Sequence, residues 1–262
     1  MTRTVLGVLT PSSNTRLEPL TSRLVGGLPG VSAHFSRFRV VDVGLAAAGQ
    51  FEPSGILAAA ELLADAHVDA IVWSGTSGGW RGIDDDRALC AAITERTGVP
   101  ATTSTLALLE ALDRAQVRTL GLVTPYPTAM HDAVAATLAG HGVQVVSSAL
   151  LASTPSNWAL CLIEPTEIAA AVAQAASGGE SGSRPDAVTV FCTNLAGADL
   201  AEDWERELGV LVLDSVALAV WHGLELAGYT GPAPAGWGRL FDLPGTPAGA
   251  SAGAVAGAVQ RS

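Results

Sequence analysis

The feature that most constrains the fold is an internal repeat, in which three segments of the first half of the chain recur in the same order in the second half. LGVLTPSSNT (residues 6–15) matches LGLVTPYPTA (120–129), DAIVWSGTS (69–77) matches DAVTVFCTN (186–194), and TGVPATTSTLALLEAL (97–112) loosely matches LGVLVLDSVALAVWHGL (208–224). The shared content is polar as well as apolar, because Thr-Pro follows the apolar run in both members of the first pair. An ordered repeat of this kind predicts two similar halves related by a pseudo-dyad.

Apolar runs alternate with segments of helical period, a pattern typical of parallel sheets covered by helices. The predicted strands are Val5–Leu9, Ala70–Trp73, Thr119–Val123, Gln144–Val146 and Ala187–Phe191. The predicted helices are Pro53–Ala66, Asp84–Thr97, Thr105–Arg114, Pro127–Gly140, Pro165–Ala176 and Asp199–Leu208. We assign residues 1–115 plus 216–243 to the first α/β half and 116–215 to the second. The tail, residues 244–262, is rich in Ala and Gly and is predicted to be disordered.

Composition and spacing exclude several classes of function. The formal net charge is -11 and no basic cluster is present, which argues against a nucleic-acid partner. All 14 basic residues are arginine, so a lysine Schiff base is impossible. No apolar run is long enough to span a membrane and no signal peptide is evident, so we expect a cytoplasmic protein without a membrane partner. The cysteines and histidines lack metal-ligand spacing, and no metal site is expected.

Superposing the repeats predicts that four loops, two from each half, converge on a cleft beyond the carboxyl ends of the strands. The superposition sets Gly75 opposite Cys192, Thr76 opposite Thr193, Ser77 opposite Asn194, and PSSN (11–14) opposite PYPT (125–128). These loops offer hydroxyls, an amide, a phenol, backbone N–H groups and one thiol, but no charged side chain. Neutral donors of this kind can hold a carboxylate or the enediolate derived from it.

Cys192 has two interpretations at this stage. A thiol with a pKa near the reference value of about 8.5 is mostly protonated at neutral pH and can deliver a proton to carbon. A free cysteine at a strand end is also often a small buried hydrophobic residue, which is the interpretation of Cys90 and Cys161. Trp80 and Trp158 lie next to the candidate loops and could wall an apolar pocket.

Other motifs favour no competing chemistry. GTSGG (residues 75–79) lacks the lysine and the spacing of a phosphate-binding loop, and the serines lack the context of a hydrolase nucleophile. The acidic run DDD (84–86) is predicted to begin a helix, where carboxylates interact favourably with the helix dipole.

Six motifs together resemble the aspartate/glutamate racemase superfamily, particularly its maleate cis-trans isomerase and arylmalonate decarboxylase branch. They are TPSSNT (10–15), GTSGGWRG (75–82), TGVPATTST (97–105), VTPYP (123–127), CTNL (192–195) and GWGRLFD (236–242). The resemblance runs from about Thr4 to Asp242. It implies two flavodoxin-like halves, each a parallel sheet flanked by helices, with the active site in the cleft between them. Racemases and isomerases of this superfamily carry one cysteine in each half, and Gly75 stands where they have the first.

Gly75 followed by Thr-Ser is the pattern of the decarboxylase. A two-base racemase needs a proton-transfer group on each face of the carbon, and Gly75 supplies none. Loss of carbon dioxide needs no base. The resemblance therefore implies a cofactor-independent carboxy-lyase that decarboxylates a substituted malonate-type dicarboxylic acid, with Cys192 protonating the enediolate from one face.

The resemblance also implies which residues bind this small carboxylic acid. Thr76, Ser77 and Tyr126 would hold the retained carboxylate, and the counterpart of Asn14 contacts a carboxylate in the isomerase branch. The full predicted binding set is Thr76, Ser77, Tyr126, Ser12, Asn14, Thr193 and Asn194. The loops 12–14 and 193–194 are more polar than those of the decarboxylase, which suggests a smaller or more polar diacid than an arylmalonate.

Two alternatives stay open at the sequence level. The first is an isomerase or racemase of a small dicarboxylate or amino acid that uses Ser77 or a water as its second group. The second is a non-catalytic dicarboxylate-binding protein. If the pseudo-dyad holds, replacing Gly75 with cysteine is expected to add racemase character. The oligomeric state is left open.

Overall fold

Two parallel β-sheets form the centre of the protein, one in each half of the chain. The computed structural model describes residues 3–44, 49–152, 154, 156–178 and 182–245. The strands are Thr4–Pro11 (β1), Val31–Phe38 (β2), Ala70–Trp73 (β3), Ala101–Thr103 (β4), Thr119–Thr124 (β5), Gln144–Leu150 (β6), Ala187–Val190 (β7) and Leu211–Asp214 (β8). Their orders are β2-β1-β3-β4 and β6-β5-β7-β8, and every pairing is parallel. The two orders are the same order repeated, and it is the order with which a flavodoxin-like sheet begins.

Helices flank both sheets. They are Leu17–Gly26 (α1), Pro53–Ala64 (α2), Gly78–Arg81 (α3), Ile83–Thr97 (α4), Ser104–Arg114 (α5), Thr128–Gly140 (α6), Pro165–Ala176 (α7), Ala201–Leu208 (α8) and Ser215–Leu226 (α9). Helices α1, α2 and α4 pack on the first sheet, and α6, α7 and α8 pack on the second. The predicted fold class, two α/β halves each built on a parallel sheet, is confirmed.

A pair of aspartates makes the repeat visible in the hydrogen bonds. Asp69 precedes β3, and its Oδ2 accepts a 2.7 Å bond from the backbone N–H of Val5 in β1. Asp186 precedes β7, and its Oδ2 accepts bonds of 3.0 and 2.8 Å from Arg118 and Thr119 at the start of β5. Each aspartate also donates its own N–H to the neighbouring strand. The same side chain therefore sets the start of the same strand pair in both halves.

The predicted elements are present, with small differences at their ends. The predicted helix from Pro127 begins at Thr128, because the extended backbone of Pro127 makes it the N-cap. The helix predicted from Asp199 starts as a short 3₁₀ turn, Ala198–Leu200, and becomes α-helical at Ala201. The predicted set did not include strands β2, β4 and β8 or helices α1, α3 and α9.

Helix α9 follows β8 of the second sheet but packs against elements of the first half, namely α1, α5, β3 and β4. The predicted division at residues 115/116 and 215/216 stays a prediction. Of the predicted disordered tail, residues 246–262 lie outside the described part of the chain.

Two hydrophobic clusters hold these layers together. The larger cluster is continuous between the halves, since it contains Leu6 and Val8 of β1 together with Leu120 and Leu122 of β5. The smaller cluster covers the other face of the first sheet, under α2 and α4, and includes Trp73 at the end of β3. Burial of these apolar side chains is the main force that fixes the positions of the strand ends.

Candidate active site

A cleft lies beyond the carboxyl ends of the strands, and all four predicted loops contribute to it. Pro11 ends β1, Gly75 to Ser77 follow β3, Tyr126 follows β5, and Cys192 and Thr193 follow β7. The remaining wall consists of Val40, Asp42, Val43, Gly44, Phe51, Trp73, Trp80 and Asn157. The cleft is therefore built by both halves. It lies beyond the carboxyl ends of the strands, where parallel α/β sheets bind their ligands.

Cys192 is a buried thiol, 3% exposed, two residues past the end of β7. Its Sγ accepts a 3.4 Å hydrogen bond from the backbone N–H of Asn194. Burial raises the pKa of the thiol from 9.0 to about 11, with Asp214 contributing in the same direction and the bonds from Asn194 and Tyr126 opposing it. Cys192 is therefore a protonated thiol at neutral pH, the form in which a cysteine can donate a proton.

A hydroxyl pair beside Cys192 joins the two halves. The Oγ1 of Thr76 and the hydroxyl oxygen of Tyr126 are 2.7 Å apart. Burial raises the pKa of Tyr126 well above 10, with the neighbouring Cys192 adding to the shift, so the phenol stays neutral. Trp80 packs edge-on against the tyrosine ring, with 5.0 Å between centroids. The hydroxyl of Tyr126 also bonds to Cys192, so Thr76, Tyr126 and Cys192 form one connected group.

Ser77 completes the first-half loop. Its Oγ accepts a 3.3 Å bond from the indole Nε1–H of Trp73 and lies at the N-terminus of α3. Because the indole can only donate, the serine hydroxyl keeps its own proton for another acceptor. Thr76 and Ser77 thus present neutral O–H donors to the same cleft.

Gly75 stands at the position of the missing first cysteine, and no room is left for a side chain there. A Cβ built on Gly75 would lie 2.1, 2.3 and 2.6 Å from three carbon atoms of the Trp73 ring. The backbone N–H of Gly75 donates to the carbonyl of Trp73 at 2.9 Å, which holds the turn tight.

A second close contact links the two loops. A Cβ on Gly79, in α3, would lie 2.5 Å from a ring carbon of Phe191, the residue immediately before Cys192. The ring of Phe191, fully buried, is therefore seated against the backbone of the opposite half.

Ser12, Asn14 and Asn194 were predicted to bind substrate, but none of them lines the cleft. The Oγ of Ser12 accepts from the N–H of Val40. Asn14 donates from Nδ2 to Thr193 Oγ1 at 3.1 Å, and its Oδ1 accepts the first N–H groups of α1. Asn194 accepts from Thr15 and donates to the carbonyl of Asn157. The three side chains therefore join loops to one another. The bonds of Ser12 lie within the first half, and those of Asn14 to Thr193 and of Asn194 to Thr15 cross between the halves. Of the second-half set, Thr193 reaches the cleft.

Several cleft residues were not anticipated, and one expectation was wrong. Asp42 and Asn157 lie where the segment after β2 pairs with the segment before the 3₁₀ turn Trp158–Leu162, through a bridge between Asp42 and Ser156. Asp42 adds a charged group that the four loops lack. Trp158 is half exposed and does not wall the cleft, because the 3₁₀ turn directs it outwards, whereas Trp80 does line it.

Each half also buries one carboxyl group close to its loop. Asp86 of α4, 2% exposed, accepts a 2.5 Å bond from the Oγ1 of Thr103 and lies against Gly78. Asp214 caps α9 through Oδ1, while its buried Oδ2 has no hydrogen-bond partner and lies against Gly197. Burial raises the pKa of both carboxyls from 3.8 to about 7. The acidic run 84–86 does lie in the first turn of α4, as predicted, but its third residue points inwards.

The part of the chain that the structure describes contains neither a clustered metal-ligand set nor a membrane-spanning helix. There, no three or more His, Cys, Asp or Glu side chains gather closely enough to hold a metal ion. Among the same residues, no helix combines the length and apolarity needed to cross a membrane.

Comparison with known proteins places the chain among relatives with this geometry. An arylmalonate decarboxylase from Bordetella bronchiseptica is 31% identical over 163 residues, which are 62% of this chain and 66% of the relative, slightly under two thirds of its length. A crystal structure of arylmalonate decarboxylase superposes with a TM-score of 0.74 at 25% identity, covering 91% of this chain and 99% of the other. A maleate cis-trans isomerase from Nocardia farcinica bound to TRIS gives a TM-score of 0.81 at 24% identity, over 91% of this chain and 97% of that one, which shows the shared fold. The sequence profile described as arylmalonate decarboxylase matches residues 53–241. The chain belongs to the arylmalonate decarboxylase family.

Proposed function

We propose that this protein is a cofactor-independent decarboxylase of a substituted malonate-type dicarboxylic acid. Membership of the family supports an enzyme of the decarboxylase or isomerase type. The observation that carries the finer proposal is the unequal pair at the carboxyl ends of β3 and β7: a protonated, buried Cys192 in one half and Gly75, without space for a side chain, in the other.

The retained carboxylate is held by neutral hydroxyls. Thr76, Ser77 and Tyr126 bring three O–H groups to the cleft. Ser77 accepts from Trp73 and keeps its own proton for the carboxylate, while Thr76 and Tyr126 exchange their present bonds for bonds to the ligand. As carbon dioxide leaves, negative charge moves onto the retained carboxylate to form an enediolate. Donors that are already oriented stabilise this charge without reorganising, an effect typically worth about 10²–10³ in rate per donor.

The departing carboxylate lies against the apolar part of the wall. The side chains of Val43 and Phe51 have no hydrogen-bond donor, so the carboxylate loses solvation there. Loss of the charged group as neutral carbon dioxide relieves that cost. The C–C bond breaks, its electron pair stays on the substrate carbon, and no external base or oxidant is required.

Cys192 completes the reaction by general-acid catalysis. The S–H bond breaks, the proton goes to the substrate carbon, and the resulting thiolate is reprotonated from solvent. A pKa near 11 keeps the proton on sulfur until a strongly basic carbanion forms beside it. Cys192 is the acid of this mechanism, so protonation occurs from the face on which Cys192 lies.

Ser12, Asn14 and Asn194 support this site indirectly in the proposal. Asn14 and Asn194 hold the segment 11–15 against the 192–194 loop through bonds between the halves, and Ser12 fixes that segment to Val40 within the first half. Thr193 contributes to the cleft wall beside Cys192. The polar groups of Asp42 and Asn157 favour a substrate with a compact or partly polar substituent over a large aryl group.

The test is a screen of substituted malonates in D₂O with a chelator present, followed by product analysis. The expected result is release of one carbon dioxide and incorporation of one deuterium at the α-carbon. Exchange of an α-proton or cis-trans conversion without loss of carbon dioxide would instead identify an isomerase or racemase. Protection of the fold against heating by these acids without any turnover would identify a binding protein, and either result would overturn the proposal.

A further inference from the structure

The first half has no cysteine at the position equivalent to Cys192, and the ring of Trp73 occupies the volume that a side chain there would need. A Cβ at Gly75 would lie less than 2.7 Å from three carbon atoms of the Trp73 ring. Non-bonded heavy atoms essentially never approach a Cβ within 3.0 Å. The backbone of Gly75 is not in the left-handed region that would itself require glycine. Sterics from Trp73 alone therefore exclude a side chain at this position.

The indole is fixed by contacts on all sides. Trp73 is 1% exposed and its ring packs on Phe38 with 4.8 Å between centroids. Its Nε1–H is bonded to the Oγ of Ser77. It belongs to the smaller hydrophobic cluster, with Leu9 and Ile56, and it also lines the cleft. A side chain at Gly75 would have to displace a buried ring that spans from this core to the cleft.

The second half has the reverse arrangement. The repeat sets Trp73 opposite Val190, and Gly75 opposite Cys192. Where the residue two positions earlier is a valine, a thiol fits and faces the cleft. Where that residue is a tryptophan, only glycine fits.

We infer that Trp73 determines the facial specificity of the reaction: its indole fills the place of the absent cysteine, closes that face of the reacting carbon to any proton donor, and leaves protonation to Cys192. The role of Trp73 in facial specificity rests on the proposed function. The exclusion of a side chain at Gly75 by the Trp73 ring does not depend on any activity. Trp73 also positions Ser77, whose hydroxyl it leaves free to donate. The single replacement Gly75→Cys is accordingly insufficient to install a second acid or base, which revises the expectation drawn from the repeat.

The steric content is tested by thermal unfolding, without any substrate. Gly75→Ala is expected to lower the Tm by about 5–10 °C, the usual scale for forcing extra volume into a packed site in a chain of this size. The matched control is Gly55→Ala in α2, where a Cβ meets nothing within 4 Å, and no destabilisation is expected. An unchanged Tm for Gly75→Ala would overturn the inference.

A double-mutant cycle strengthens this test. In a Trp73→Val or Trp73→Leu background, which copies the space of the second half, Gly75→Ala is expected to cost clearly less than in the native background. Equal costs in both backgrounds would show that the ring is not what excludes the side chain. Two replacements for Trp73 are included because loss of so large a buried ring is itself destabilising.

The facial content is tested on the product acid. The double variant Trp73→Val with Gly75→Cys is expected to exchange the α-proton of the product acid in D₂O at least about tenfold faster than Gly75→Cys alone, because a second proton-transfer group can then reach the opposite face. In the double variant, the introduced thiolate removes the α-proton and the Cys192 thiol returns one to the other face. In addition, Trp73→Leu alone is expected to lower the enantiomeric excess of decarboxylation.

The outcomes separate the two proposals. If the protein decarboxylates but the enantiomeric excess of Trp73→Leu is that of the native enzyme, the facial role of Trp73 is wrong and the proposed function stands. If no malonate is turned over but the unfolding cycle shows the coupling, the proposed function fails and the steric assignment of Trp73 stands.

Discussion

The two halves of this protein share a scaffold and differ at a few residues where the strands end. Both have the same strand order and the same aspartate at the start of the inner strand pair. At the carboxyl ends, the first half has Trp73 and, two residues later, Gly75. The second half has Val190 and Cys192 at the equivalent positions. The comparison teaches that two halves of the same topology can differ at the ends of equivalent strands through an exchange of side-chain volumes, and the proposed one-sided protonation depends on that difference.

The buried acids show a second, subtler difference. The repeat sets Thr103 opposite Asp214, because each caps the helix that follows the last strand of its sheet. In the second half the capping residue is itself the buried carboxyl. In the first half the cap is a threonine, and Asp86 reaches it from α4. Both halves thus place one carboxyl of raised pKa near the loop of the cleft, but by different routes.

The largest effect that would test the comparison is the loss of the single thiol. Cys192→Ser is expected to lower kcat by about 10²–10⁴, because a serine hydroxyl is a far weaker acid at the same position. Decarboxylation assays report the rate, and circular dichroism reports that the fold is intact. The control is Cys161→Ser, a buried cysteine of the same half that does not line the cleft, and it should keep native activity. A Cys192→Ser enzyme that retained more than about a tenth of its activity would contradict the assignment.

A smaller effect tests the first half, which in this mechanism binds rather than transfers protons. Thr76→Val and Tyr126→Phe are each expected to lower kcat/KM by about 10–10², since each removes one neutral donor from the enediolate. Because the two hydroxyls share a bond, the double variant should lose less than the product of the single losses. Tyr229→Phe, at the only other tyrosine, is the control, as its exposed hydroxyl bonds to the Pro232 carbonyl. Fully independent losses would show that the pair does not act as a unit.

The smallest effect concerns stability and compares the two buried acids. Asp86 and Asp214 have folded-state pKa values near 7, raised from 3.8, so between about pH 4 and 7 the folded state binds more protons than the unfolded state. Stability is then expected to fall as pH rises through this window, by up to about 1.4 kcal/mol per pH unit for each group. Denaturant unfolding at pH 5, 6, 7 and 8 measures the slope.

Asparagine variants separate the contributions of these acids. Asp86→Asn and Asp214→Asn should each remove one share of the slope. Asp186→Asn should leave it unchanged, because backbone hydrogen bonds lower the pKa of Asp186 and its titration lies below this window. If Asp86→Asn and Asp214→Asn both kept the native slope, the buried carboxyls would not be the titrating groups.

Much of the fold could be predicted because the repeated residues include ones that have the same structural role in both halves. The glycine and threonine of LGVLTP and the aspartate before each inner strand recur, and the structure gives the aspartates the same bonds in both halves. Strand β4 was missed because it is only three residues long. Strand β8 is as long as the predicted strands β3 and β7, and it was missed although its apolar residues lie in the third repeated segment. Strand β2 alternates too weakly, with His34 and Arg37 among its residues, to stand out as an apolar run.

The lining of the cleft was predictable where the repeat alone fixes the position of a residue. It was not predictable where the packing of neighbouring loops decides the direction of a side chain. The thiol, the hydroxyls and the tyrosine were placed in the cleft by the repeat alone. Asn14 and Asn194 were expected to face a ligand, yet an amide can bond equally well to a neighbouring loop, and only the three-dimensional arrangement decides between the two. Trp73 was predicted only as a strand residue, although the repeat already set it against the much smaller Val190.

The seat of Phe191 on Gly79 has a consequence for protein engineering. The position of the Cys192 thiol in one half depends on the absence of a side chain at Gly79 in the other. Any side chain at residue 79 would displace the Phe191 ring and, through the adjacent peptide, Cys192. The two turns are therefore a matched set. Grafting either one alone from a relative would misalign the donor, whereas exchanging both together would carry its geometry intact.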